Sequence, residues 1–247
     1  MSILERVTIS GADDSISPDS LAALSVEFPF VEWGILVSAN NMNSPRYPSR
    51  KWMARLQDWS LQQSLRIAIH VQGLWLRKLL IGDETELVSG VGAILGRARR
   101  VQLNFHGAIL HYNELPFIYA MQRLPIQPKL FLFQIDGCQG AALLARMEHY
   151  PHAPDCVPFY DTSHGAGVLP EKWLIAERTH ARTVGYAGGL GPENVAEQLP
   201  LIAKAAGGHF WIDMEAKVRD NKRLGIFDLY KVRAVLEICA PFIGKEI

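Results

Sequence analysis

The sequence predicts a (β/α)8 barrel, and three observations support this prediction. Short apolar segments alternate with segments of helical periodicity along the whole chain, as in a parallel sheet covered by helices. Eight such strand–helix pairs fit into 247 residues, which is typical of a closed barrel of this class. No linker or shift in composition divides the chain, so a single domain over residues 1–247 is expected. An open, doubly wound sheet is the alternative, although it usually has fewer strands.

The individual strands and helices are predicted from local patterns. Runs of apolar and β-branched residues indicate strands at residues 6–11, 31–39, 65–72, 100–106, 128–135, 157–162, 183–187 and 209–214. Apolar spacings of three and four residues indicate helices at residues 18–24, 50–63, 74–98, 115–123, 140–149, 170–179, 192–206 and 228–240. Because the side chains of a barrel strand alternate between the lumen and the helix layer, this assignment also predicts which residues face the lumen.

Composition and charge exclude several classes of function. The 25 Lys and Arg residues balance the 25 Asp and Glu residues, so no basic surface for nucleic acid or an anionic membrane is expected. Cys138, Cys156 and Cys239 lack the spacing of a metal site, and reduced thiols in a cytoplasmic protein are expected. The first residues lack the apolar region of a signal peptide, and no apolar run is long enough to span a bilayer. The arginines at residues 97–100 are expected at a helix end.

Polar side chains accumulate on the predicted lumen faces, toward the carboxyl ends of the strands. Alternation places there Thr8, Ser10, His70, Gln72, Gln102, Asn104, His106, Gln134, Asp136, Asp161, Asp213 and Glu215. A satisfied hydrogen-bond network explains any one of these residues. For the whole set an active site is favoured, because (β/α)8 enzymes carry their sites at this end. Asp161 is the leading general acid or base, since it ends an apolar strand before a glycine-containing loop.

A glycine-rich turn follows the seventh predicted strand. Gly188, Gly189 and Gly191 let the backbone pass close to a ligand and adopt positive φ angles, and Pro192 suits the first turn of the next helix. The free N–H groups and the positive dipole end of that helix suit an anion, typically a phosphate. A plain strand-to-helix turn is the alternative interpretation.

Motifs along nearly the whole chain have counterparts in one known family. The two most specific are Ala-Gly-Gly-Leu-Gly-Pro-Glu-Asn-Val at residues 187–195 and Ser-Pro-Arg-Tyr at residues 44–47. Weaker ones lie at residues 7–11, 102–107, 161–167 and 211–214. Together they resemble the phosphoribosylanthranilate isomerase family. The resemblance implies a (β/α)8 barrel that converts a phosphorylated aldosylamine into an aminoketose by an Amadori rearrangement, as in tryptophan biosynthesis, without a metal or organic cofactor.

The resemblance also implies roles for individual residues. Asp161 corresponds to the general acid that opens the sugar ring, and Arg46 to an arginine that helps to hold the substrate. The phosphate is expected on the turns after the seventh and eighth strands. The remaining site candidates are Ser10, His70, His106 and Asp213 for catalysis, and Asn104, Gln134, Gly165, Gly167, Gly188, Gly189, Gly191 and Lys217 for substrate or phosphate binding.

The sequence departs from the family pattern in two places. Ser10 occupies the position of the cysteine that acts as general base, and a serine hydroxyl needs a base of its own. Either His70, His106 or Glu215 then abstracts the proton, or the reaction differs from that of the family. The loop after the eighth strand begins with Glu215 instead of a Ser/Gly-rich segment. Glu215 repels a phosphate, whereas Lys217 or Arg219 attracts one.

Three functional interpretations stay open. The first is an isomerase of a phosphorylated sugar derivative, active as a monomer or homodimer. The second is a barrel of the same ancestry that binds a ligand or partner without turnover. The third is a metal-dependent lyase or epimerase, in which a divalent ion is surrounded by His70, His106, Asp136 and Asp161.

Overall fold

The computed structural model confirms the closed (β/α)8 barrel. It describes residues 1–58, 61, 64–105, 112–161, 163, 166–176, 183–220 and 225–247. Eight parallel strands pair in sequence order, and the last pairs with the first. They are β1 (Ile3–Ser10), β2 (Val31–Val37), β3 (Ile67–Val71), β4 (Arg100–Leu103), β5 (Leu130–Ile135), β6 (Asp155–Asp161), β7 (Thr183–Ala187) and β8 (His209–Met214).

Helices surround the barrel, and their apolar faces form the main core against the outer face of the sheet. In the described ranges they are α1 (Pro18–Glu27), α2 (Arg50–Arg55), α3 (Leu74–Leu80), α4 (Thr85–Leu95), α5 (Glu114–Arg123), α6 (Cys138–Met147), α7 (Val195–Ala206) and α8 (Leu229–Cys239). Ser17, Ser49 and Asp228 accept hydrogen bonds from the first turns of α1, α2 and α8, which fixes where these helices begin. No helix in this part of the chain is long and apolar enough to cross a membrane.

The helix predicted between β6 and β7 is wrong over residues 170–176, which are irregular; the rest of its span lies outside the described residues. The buried indole of Trp173 donates a hydrogen bond to the side chain of Gln198 at 2.9 Å. The N–H of Ala176 bonds to a carbonyl near the end of α7 at 3.0 Å. The segment is therefore held by contacts to its neighbour and not by bonds within a helix.

Three other helix boundaries also differ from prediction. The helix expected over residues 74–98 is divided into α3 and α4, and Gly82 lies between them at a φ of +95°, where glycine carries no steric penalty. The helix expected from Pro192 begins at Val195, because the side chain of Asn194 folds back onto the preceding turn. The helix expected over residues 50–63 ends at Arg55 and is followed by a turn at residues 56 and 57; Leu61 is again helical, and residues 59, 60, 62 and 63 lie outside the described residues.

A buried ion pair fills the amino-terminal end of the lumen. Arg100 at the start of β4 pairs with Glu32 on β2, and its guanidinium also donates to the hydroxyl of Thr8 at 3.3 Å. Both charged side chains are almost completely buried. Arg100 begins β4, as the predicted strand at residues 100–106 implies, and the expectation that it lies at a helix end is wrong. Its side chain faces the lumen, where Glu32 compensates its charge.

An aromatic layer lies above this ion pair. The ring of Trp211 on β8 stacks on Phe159 of β6, with ring centroids 6.2 Å apart. The guanidinium of Arg100 lies over the indole of Trp211, 4.3 Å from the ring centre. Leu132 and Val157 complete this second, smaller cluster inside the barrel. The aromatic layer closes the lumen below the polar residues at its carboxyl end.

Gly185 on β7 is expected to be intolerant of any side chain. A methyl group at this position would overlap the rings of Trp211 and Phe159. We expect Gly185→Ala to lower the free energy of unfolding by about 1–3 kcal/mol through overpacking. Urea unfolding of the variant measures this effect. Gly208→Ala is the matched control, since a methyl group there meets no atom within 4 Å; equal losses in both variants would contradict the explanation.

Candidate active site

A polar pocket opens at the carboxyl ends of the strands, where the sequence predicts the site. Its volume is about 190 Å³, which is below the range of about 300–1,000 Å³ for drug-sized ligands. Polar side chains from six of the eight strands or the loops after them line it: Ser10, Arg46, Tyr47, His70, Gln72, Gln102, Asn104, Asp161, Ser163, Asp213, Glu215 and Lys217. The volume and polar lining therefore suit the polar part of a ligand better than a large planar cofactor.

Ser10 and Asp213 form a buried hydrogen-bonded pair at the floor of the pocket. The hydroxyl of Ser10 donates to Oδ1 of Asp213 at 2.7 Å. Burial raises the pKa of Asp213 to about 8. The hydrogen bond from Ser10 and the charge of Arg100 lower this pKa, whereas the charges of Glu215 and Asp161 raise it further. Asp213 therefore carries a proton over much of the neutral pH range.

His70 lies beside Ser10 because Gly34 separates them without a side chain. A methyl group on Gly34 would overlap both the Ser10 hydroxyl and the imidazole. Burial lowers the pKa of His70 to about 3, so the ring is neutral near pH 7. Its Nε2 is buried and makes no hydrogen bond to any described residue. His70 is thus a neutral polar group in the wall of the pocket.

Asp161 ends β6 and is anchored on both of its oxygens. Oδ1 accepts hydrogen bonds from the N–H of Ser163 at 3.0 Å and from its hydroxyl at 2.7 Å. Oδ2 accepts one from the side-chain amide of Gln134 at 3.2 Å. Gln134 does not line the pocket itself, so the structure places it behind Asp161 and not at the ligand surface.

Arg46 and Glu215 form an ion pair at one side of the pocket. Arg46 has a φ of +77°, which is unusual for a residue with a side chain. Its backbone N–H donates to Oδ2 of Asp13 at 2.7 Å. Glu215 lies against Gly11, whose missing side chain leaves room for the carboxylate. The charge of Glu215 is therefore compensated by Arg46 within the protein itself.

The turns after β7 and β8 line the pocket and contain backbone N–H groups that have no partner among the described residues. Gly188 and Gly189 have φ angles of +132° and +60°. The backbone N–H groups of Gly188, Gly189 and Leu190 donate no hydrogen bond to a described residue. The N–H groups of Ala216 and Lys217 donate none to these residues either. Successive N–H groups of this kind form anion-binding concavities. Lys217 lines the same pocket and contributes a positively charged side chain.

The structure brings most of the predicted site residues together. Ser10, Arg46, His70, Asn104, Asp161, Gly167, Gly188, Gly189, Asp213 and Lys217 line the pocket. Gly191 does not, and its N–H is used by the side chain of Asn194 at 3.0 Å. His106 and Gly165 lie outside the described residues. Tyr47 and Gly34 contribute to the site but were not predicted as site residues, although the Ser-Pro-Arg-Tyr motif pointed to Tyr47.

The metal-dependent interpretation required a cluster of ligands. Among the described residues, no group of three or more His, Cys, Asp or Glu side chains is placed to hold a metal ion. His106, which belonged to that hypothesis, is not among them.

No protein-family model matches this chain. No curated protein matches it either.

Proposed function

We propose that this protein binds a phosphorylated sugar derivative in the pocket and isomerises it by an aldose–ketose rearrangement of the Amadori type. One observation carries the proposal. Two carboxyl groups in different environments, Asp161 and Asp213, line one polar pocket, whose lining also includes Lys217 and turns with unpaired backbone N–H groups. Proton transfer between carbon and oxygen atoms needs such a pair of acid and base.

The phosphate is assigned to the turns after β7 and β8. The N–H groups of Gly189 and Ala216 and the ammonium of Lys217 supply the hydrogen-bond donors and the positive charge. Glu215 does not oppose this placement strongly, because its carboxylate pairs with Arg46. A phosphate held here orients the sugar toward the floor of the pocket, where Asp213 and Ser10 lie.

Binding without turnover is the second candidate function. Its support is Ser10, whose hydroxyl is committed to Asp213 and therefore supplies no anionic base of its own. The two candidates differ in one measurable respect, since only the isomerase converts its ligand.

Turnover of phosphoribosylanthranilate, followed by the loss of anthranilate fluorescence, tests the proposal. We expect the parent protein to be active and Asp161→Ala to lose about 10²–10⁴-fold in kcat, the usual contribution of a positioned acid or base. Asp155→Ala is the matched control, because Asp155 lies at the opposite, exposed end of the same strand. A folded parent protein without turnover would reject the isomerase and favour the binding function.

A further inference from the structure

The two carboxyl groups of the pocket differ in their hydrogen bonds. Asp161 accepts three, from the N–H and hydroxyl of Ser163 and from the amide of Gln134, and both of its oxygens are used. An ionised carboxylate is purely an acceptor and matches such a set of donors. The anchoring also holds Asp161 in one orientation at the end of β6.

Asp213 has the opposite environment. It is 5% exposed, and in the described structure its only hydrogen bond is the one that Oδ1 accepts from Ser10. Its Oδ2 accepts none from the described residues and is available to a ligand. The carboxylates of Asp161 and Glu215 disfavour a further negative charge here, whereas Arg100 favours it from below. This environment favours the protonated form, consistent with a pKa of about 8.

We propose that Asp213 is the general acid and Asp161 the general base of the isomerisation, with Ser10 as the residue that positions Asp213. This assignment rests on the proposed function and names the proton donor and acceptor within it. It reverses the role that the family resemblance implies for Asp161. It also removes the need for a base at Ser10. In this assignment the neutral His70 is part of the pocket wall and takes no part in the proton transfers.

The proton transfers balance without an oxidant or reductant. Asp213 gives its proton to the ring oxygen while the C1–O bond breaks and the nitrogen lone pair forms a C1=N bond. Asp161 removes the proton from C2. The electron pair of the C2–H bond forms a C1=C2 double bond, and one electron pair of the C1=N double bond returns to nitrogen. The enol hydroxyl then returns a proton to Asp213 while Asp161 protonates C1. The product is the aminoketose, and both carboxyl groups have regained their starting states.

The pH dependence of kcat/KM for phosphoribosylanthranilate tests these roles. An acid must be protonated, so activity is expected to fall as the pH rises through about 8, the pKa of Asp213. Activity that rises through this range would identify Asp213 as the base and overturn the assignment. The hydrogen bond from Ser10 lowers the pKa of Asp213. In Ser10→Ala the decrease of kcat/KM should therefore occur at higher pH than in the parent protein. If kcat/KM decreases at the same pH in Ser10→Ala as in the parent protein, Ser10 has only a structural role and its positioning function is contradicted.

A carboxyl ¹³C NMR titration of the free protein tests the assignment without turnover. One signal should titrate near pH 8, be absent in Asp213→Asn and persist in Asp161→Asn. Loss of that signal in Asp161→Asn instead would overturn the assignment even if the protein is an active isomerase. A folded parent protein that fails to turn over the substrate would overturn the proposed function, and the catalytic roles with it.

Discussion

Replacing Arg100 by methionine is expected to lower the free energy of unfolding by about 3–5 kcal/mol, which is the usual cost of removing one partner of a buried ion pair. Arg100 and Glu32 are both almost completely buried. Without the guanidinium, the Glu32 carboxylate would keep the hydroxyl of Thr8 and the more distant charge of Arg6, at 3.7 Å. Chemical denaturation at neutral pH measures the loss.

The pH dependence of that loss has a definite sign. Burial alone would raise the pKa of Glu32, but the charge and hydrogen bond of Arg100, together with the charge of Arg6 and the hydrogen bond of Thr8, hold this pKa below its usual value of 4.5. In the parent protein this stabilisation is present above that value and is lost as the pH falls through the lowered pKa. In Arg100→Met, burial dominates and favours the protonated Glu32. The difference in stability should therefore shrink on acidification.

Two comparison variants separate the ion pair from unrelated effects. Arg99→Met changes the neighbouring, exposed arginine and should be nearly neutral. Adding Glu32→Leu to Arg100→Met removes the uncompensated charge and should recover most of the lost stability. If the double variant is as unstable as the single one, packing of the arginine on Trp211 and not charge is responsible.

Glu215→Gln is expected to change which ligands the pocket prefers. In the parent protein the charge of Arg46 is already compensated by Glu215, so a second anionic group on the ligand must compete for it. In Glu215→Gln the guanidinium of Arg46 is free to bind the carboxylate of phosphoribosylanthranilate. The KM for this substrate should then fall on the order of tenfold or more, which corresponds to one hydrogen bond to a charged group. The affinity for ribose 5-phosphate, which has no carboxylate, should change much less.

Glu197→Gln controls for the loss of one negative charge, because Glu197 is exposed in the first turn of α7. It should leave both ligands unaffected. An equal gain for ribose 5-phosphate in Glu215→Gln would mean that Arg46 meets the phosphate instead of a second anion. No gain for either ligand would show that the ion pair does not limit binding.

The alternation of side chains made much of the site predictable. A strand period of two places Ser10, His70, Asp161 and Asp213 on one inner surface, and the structure has all four in the pocket. The order of the strands followed from their number and spacing, because consecutive parallel strands joined by helices pair as neighbours. These inferences depend only on local patterns.

The parts that could not be predicted depend on contacts between distant segments. The bond from Ser10 to Asp213 joins residues 203 positions apart, and no local pattern indicates it. Glu32, in the otherwise apolar strand β2, was a usable signal, since a buried carboxylate requires a partner. The sequence did not identify that partner as Arg100. The irregular segment around Trp173 is likewise set by its contacts with α7, which override its local helical pattern.

The aromatic layer of Trp211 and Phe159 makes the pocket a cup with a closed floor. Under the proposed function, a product formed beside Asp213 leaves by the same mouth through which the next substrate molecule enters. A product molecule that stays bound in the cup therefore blocks this entry physically.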